Sequence, residues 1–311
     1  MRTTDDAAHA LPPGEEPVRR ILVTGWFSFL HGEATAGDVL ALERVREVLG
    51  GAGLPHDVAW SAGFRPGALS LERADPASYS HLVFVCGPAH GWQIEQLHRR
   101  FADCVRIAVG VSVVDPASAA VRGFHRVLAR DAAGAAAPDL AARAPVQEAV
   151  PVVGVILTHG QHEYGGRRLH EAVAAAVTEW LAGADCARME LETRLDARDW
   201  RLASTPGQLE SVLRRLDVVV TDRLHGLVLA LRSGVPVVAV DPVAGGAKVS
   251  AQGRVWGWPA VVPGEHVSPA ALDRWLHWCL SAEGRDTAAA VAGSALRDPA
   301  DALPGALHHE R

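Results

Sequence analysis

Residues 217–241 read DVVVTDRLHGLVLALRSGVPVVAVD. A short β-branched run delivers Thr221, Asp222, Arg223 and His225 to a turn and to the first turn of the helix that follows. A helix N-terminus offers unpaired N–H groups and the positive end of the helix dipole, so an arginine placed there completes a site for an anion. Asp222 can orient either the guanidinium or the imidazole, and His225 can hold or release a proton near neutral pH. The same residues would also make a structural ion pair at a helix start, and spacing alone does not separate the two. Beyond the helix a second apolar run ends at Asp241. A loop containing Gly245 and Gly246, which let backbone bend toward a ligand, then leads to Lys248. Lys248 is the only lysine among 30 Lys and Arg residues, so arginine holds every other cationic position.

These residues need strands and helices to place them, and the pattern predicts both. Short apolar runs at residues 20–24, 57–60, 81–86 and 106–111 suit buried parallel strands, with an amphipathic helix over 38–49. After a stretch poor in large apolar residues (132–147), the alternation restarts. Strands are expected at 152–157, 187–191, 217–221 and 235–240. Helices are expected at 167–181, 206–216 (Thr205 as N-cap, Pro206 at its start), 224–232 and 269–280. Alternating strands and helices in two halves predict an α/β protein of two Rossmann-like domains facing across a cleft. The expected boundaries are a disordered leader (1–18), an N-terminal domain (19–135), a linker (136–150), a C-terminal domain carrying the site (151–284) and a loosely ordered tail (285–311). Ligands in such sheets sit beyond the C-terminal strand ends, which selects the loops 25–38, 87–92, 158–166, 221–226 and 241–248.

The segment 217–248 resembles the polysaccharide pyruvyl transferases, where Arg-Leu-His follows a strand and opens an apolar helix. The Arg223-Leu224-His225 triplet, Gly234-Val235-Pro236 before the next strand, and Lys248 in the loop beyond carry the likeness. Gly37-Asp38, Arg130-Asp131 and Pro138-Asp139 add weaker matches. The resemblance implies a GT-B-like fold and transfer of an enolpyruvyl-derived group from phosphoenolpyruvate to hydroxyls of a sugar or glycan. It implies His225 and Asp222 in catalysis, and Arg223 and Lys248 in binding a doubly charged donor. Where the family carries an arginine after the first strand of the second half, this chain reads Thr158-His159-Gly160. Either His159, Arg167 or Arg168 replaces that cation, or the donor differs. The loop 25–37 is longer and more aromatic than the family's: Trp26 could stack on a sugar, Glu33 could bind hydroxyls, and Asp38 could cap the helix or line the site.

Other signals are weaker. His159, His162 and Glu163 lack a third fixed metal ligand, and no cofactor is expected. Four cysteines without zinc spacing suit buried free thiols and a reducing, cytoplasmic setting. A net charge of −6 gives no electrostatic reason to bind nucleic acid. No apolar run reaches membrane-spanning length. Two further readings remain open: a GT-B glycosyltransferase using a nucleotide sugar, and a ligand-binding relative without turnover. Acceptor identity and oligomeric state are not legible.

Overall fold

The computed structural model describes residues 20–30, 34–132, 135–158, 163–294 and 298–309. The chain divides between Gln147 and Glu148 into two compact units. The first runs β1 (Ile21–Gly25), α1 (Ala36–Gly51), β2 (His56–Val58), β3 (His81–Val85), α2 (Trp92–Arg100), β4 (Val105–Ser112), α3 (Ala119–Arg122), β5 (Arg126–Ala132) and β6 (Ala135–Ala136). Its sheet has the order β2-β1-β3-β4-β5-β6, parallel except for β6. The second unit runs β7 (Val152–Ile156), α4 (His170–Gly183), β8 (Ala187–Glu190), α5 (Pro206–Leu213), β9 (Val218–Thr221), α6 (Leu224–Arg232), β10 (Val237–Asp241), α7 (Lys248–Trp256), β11 (Val261–Pro263), α8 (Pro269–Leu280), α9 (Ala282–Ala292) and α10 (Leu303–His309). Its sheet is wholly parallel, in the order β11-β10-β9-β7-β8. The expected α/β class with two Rossmann-like halves is what the sheets show.

Counted within each unit, both sheets share the order 2-1-3-4-5, which β6 extends in the first, with the winding reversing between the first and third strands. That reversal opens a crevice at the C-terminal strand ends. In the second unit it falls between β7 and β9. The core explains why those strands read as unbroken apolar runs: Val218, Val219, Val220, Val237, Val238 and Val240 are all at 0% exposure. A strand buried on both faces has no polar side to alternate with. Each such valine contributes roughly 1.5–3 kcal/mol relative to exposure. Trp258 lies beneath β10 and donates its indole N–H to the Val237 carbonyl at 2.7 Å.

Three expectations change. The helix expected from residue 167 begins at His170, because residues 167–169 are drawn to the loop after β10: Arg168 bridges Val243 antiparallel, Leu169 N–H donates to Pro242 at 2.8 Å, and Ala244 N–H donates to Arg167 at 2.9 Å. The stretch expected as a linker is not free chain, since Leu140 packs into the first unit's core under Gly110. The tail expected to be loose holds α9, which follows the Ser281 cap and buries Gly284 and Ala288.

Among the described residues no helix is long and apolar enough to cross a membrane. All four cysteines are free. Burial pushes the Cys279 thiol up to about 12 and the Cys86 thiol up to about 11, while Cys186 is only half-buried. Since the thiolate is the reactive form, iodoacetamide at about pH 8 should label Cys186 first and spare Cys279 until the protein is unfolded. Peptide mass spectrometry with and without denaturant checks this.

Candidate functional site

The β9–α6 junction is tied to β7 by two side chains. Thr221 Oγ1 donates to the Ile156 carbonyl at 2.7 Å and accepts the Arg223 N–H at 3.0 Å. Asp222 is 2% exposed, and its Oδ1 accepts the Thr158 N–H at 2.7 Å. The two strand ends flanking the crevice are thus pinned to each other. Gly226 permits the close approach: a Cβ there would overlap the Thr221 side chain. Arg223 stands at the N-cap of α6, half-buried, and His225 is exposed in the first helical turn. Arg223 Nη1 pairs with Glu192 Oε1, the side chains being 26% and 33% exposed. Burial works to raise the Glu192 carboxyl, but the Arg194 N–H and the Arg223 charge outweigh it and hold the group below the usual range. The pair is therefore intact at neutral pH and is lost only as acid carries the pH down through that lowered value.

A second cationic group gathers one strand over. Arg167 and Lys248 both approach the Tyr164 ring, at 5.9 and 5.8 Å from its centroid. The contacts between residues 167–169 and 242–244 bring the two cations together. Lys248 is the first residue of α7, where a positive charge opposes the helix dipole. Asp241 supplies the offsetting charge: fully buried, it accepts the Val243 N–H at 3.2 Å through Oδ1, and the Ala247 and Ser250 N–H groups at 2.7 and 2.8 Å through Oδ2. Asp241 thus caps the loop and the start of α7. Gly245 and Gly246 take φ of 77° and 78°, the left-handed turn that this wrap requires. His170, 2% exposed at the start of α4, has its pKa lowered by burial first and then by the Arg168 and Lys248 charges.

The first unit's candidates are more structural. Trp26 packs against Phe29 and Phe84 beneath Gly87 and donates its indole N–H to Pro88 at 3.2 Å. Trp26 and Phe29 are half-buried there, packed against the first unit's core. Asp38 closes a capping box with Thr35, accepting the Thr35 hydroxyl at 2.7 Å. Arg130 pairs with Asp139 and reaches Ser112 at 2.7 Å, so the two weakly matching sequence pairs meet in space. His159 and Glu33 lie outside the described residues, as does His162. Among the described residues no group of three or more His, Cys, Asp or Glu stands together to hold a metal ion.

Residues 185–242 match the polysaccharide pyruvyl transferase family. The matched stretch runs from β8 through β10. It includes Glu192, Asp222, Arg223, His225 and Asp241, while Tyr164, Arg167 and Lys248 lie outside it. No curated protein sequence matches the chain. Among solved structures, the chain is similar to the spinosyn rhamnosyltransferase SpnG in complex with thymidine diphosphate, at 12% identity and a TM-score of 0.34 over 93% of this chain and 100% of that one. It is similar to the glycosyltransferase SnogD from Streptomyces nogalater at 12% identity and a TM-score of 0.34, over 94% and 100% of the two chains. UDP-GlcNAc 2-epimerase from Methanocaldococcus jannaschii gives 8% identity and a TM-score of 0.30, over 84% and 92%. Likeness at these values says nothing of what this chain binds.

Sequence reasoning missed Glu192, Tyr164 and His170. Each is remote in sequence from its partners or sits at an unremarkable helix start, so no local pattern marks it. Glu192 also lies in the wall of a cavity of about 1200 Å³, between the end of α4, α5 and the loop after β8. Arg223, His225, Arg167 and Lys248 do not line that cavity, so it adjoins the strand-end site and does not contain it.

Two substitutions probe this scaffold. Gly226→Ala should cost about 1–3 kcal/mol by overpacking against Thr221, read as a lowered urea midpoint. Asp241→Ala leaves three N–H groups without their acceptor and should cost about 2–4 kcal/mol, read the same way.

Proposed function

We propose that this protein is a pyruvyl-transferase-like enzyme that takes phosphoenolpyruvate as donor and the hydroxyls of a sugar or glycan as acceptor. The observation that carries the reading is the placement of Arg223 and His225, inside the family-matched stretch, at the C-terminal end of β9 beside the sheet's reversal point, with His225 exposed and Arg223 half-buried. Phosphoenolpyruvate carries a carboxylate and a phosphate on one small frame and needs cations aimed at both. Arg223 offers a planar fork for one anionic group. Arg167 and Lys248, paired across Tyr164, offer charge for the other, and Arg167 takes the part of the arginine absent at Thr158-His159.

In the reaction, His225 delivers a proton to the terminal carbon of the enol, and positive charge develops at the central carbon. One acceptor hydroxyl bonds to that carbon. The bond from carbon to the phosphate oxygen then breaks, and a second hydroxyl closes the ketal. Of the two hydroxyl protons, one ends on the new methyl group and one on the departing phosphate, so no redox partner is needed. Asp222 holds the β7 end from its buried position and serves the reaction by fixing the loop that carries Arg223 and His225.

Phosphoenolpyruvate at millimolar levels should raise the thermal midpoint of the purified protein, since a ligand of the folded state stabilises it by mass action. Arg223→Ala and His225→Ala should abolish most of that rise, and nucleotide sugars should produce none. A midpoint that ignores phosphoenolpyruvate, or that rises with a nucleotide sugar instead, rejects the proposal.

A further inference from the structure

We propose that Glu192 is the positioning residue for Arg223: it grips one corner of the guanidinium and leaves the opposite edge presented to an anionic group of the substrate. The inference rests on the reading that Arg223 receives such a group, and adds how the arginine is made ready for it.

The topology makes the contact informative. Glu192 follows β8, the edge strand, and Arg223 follows β9, with β7 between the two strands. The ion pair therefore reaches across the end of β7, over the crevice where the winding reverses. A carboxylate with no task at this point could turn into the adjoining cavity, whose wall includes Arg188, Arg194 and Arg201. Instead it turns to Arg223. Its Oε1 is also anchored from its own side, accepting the Arg194 N–H at 3.0 Å and the Thr193 hydroxyl at 3.5 Å. An acceptor fixed in this way is a fixed post, not a loose counter-ion that an arriving ligand would sweep aside.

The guanidinium's donor set completes the argument. Arginine carries five N–H donors in a rigid fork. Glu192 engages Nη1 alone, and among the described residues Nε and Nη2 donate to no protein group. That pair of donors is the spacing a carboxylate or phosphate takes bidentately. With one corner anchored, the side chain loses less conformational freedom when a ligand binds, so the ordering cost falls before the ligand arrives. Neutralisation of Arg223 by Glu192 acts in the opposite direction. The proposal requires orientation to outweigh that neutralisation, and the direction of the KM change reports which prevails.

The test uses Glu192→Gln and Glu192→Ala in the full chain, with two readouts. In turnover of phosphoenolpyruvate, KM should rise on the order of tenfold in the Ala variant and less in the Gln variant, which keeps a neutral acceptor, with kcat held within about twofold. A merely structural role would not produce that split. Independently of any donor, modification of Arg223 by phenylglyoxal, followed by peptide mass, should be several-fold faster in Glu192→Ala than in the wild type. A lowered KM would make Glu192 a competitor of the ligand and overturn the proposal. So would an unchanged modification rate. If the wild type itself shows no binding of phosphoenolpyruvate, the donor assignment fails, and the phenylglyoxal rates alone decide whether Glu192 holds Arg223.

Discussion

The pinning of β7 to β9 by Thr221 and Asp222 is the constraint on which the site depends. A parallel sheet that reverses its winding between two neighbouring strands leaves their C-terminal ends open, with loops departing to opposite faces. Left alone, those ends would carry unpaired backbone groups into the crevice. Here Thr221 satisfies the Ile156 carbonyl and Asp222 satisfies the Thr158 N–H. Both bonds are buried, where a missing partner costs more than a bond gains. The turn that carries Arg223 and His225 is thereby fixed to the strand beside it.

Positive charge also gathers beside that turn. Lys248 opens a helix at its positive end and needs the buried Asp241 to offset it. Arg167 sits just ahead of α4, exposed, drawn there by backbone bonds to the loop after β10. Their convergence on Tyr164 concentrates positive charge one strand over from the end that holds Arg223.

The first unit repeats the strand order of the second, yet its corresponding loops do different work. Trp26 fills the space under Gly87, and Asp38 and Thr35 close the start of α1 on themselves. Topology supplies equivalent crevices in both units. Side chains decide which is filled by packing and which is lined with charge, and for this reason fold by itself does not fix function.

The sequence by itself determined the α/β alternation, the strand and helix at 217–232, and the place of Arg223, His225 and Lys248 at strand ends, because buried parallel strands must be apolar throughout and helix starts follow local chemistry. Residue type at a helix start also marked the Thr205 cap. Tertiary structure alone decided the rest. Glu192 meets Arg223 only because β8 lies across β7 from β9, a neighbour relation set by strand order and not by spacing. Helix α4 starts at His170 because Arg168 is claimed by Val243, a residue 75 positions later. Trp26 packs against Phe29 and Phe84 because Gly87, on a different strand's exit, leaves room for it. Each of these turns on a contact between segments distant in the chain, and local propensity carries no information about such partners.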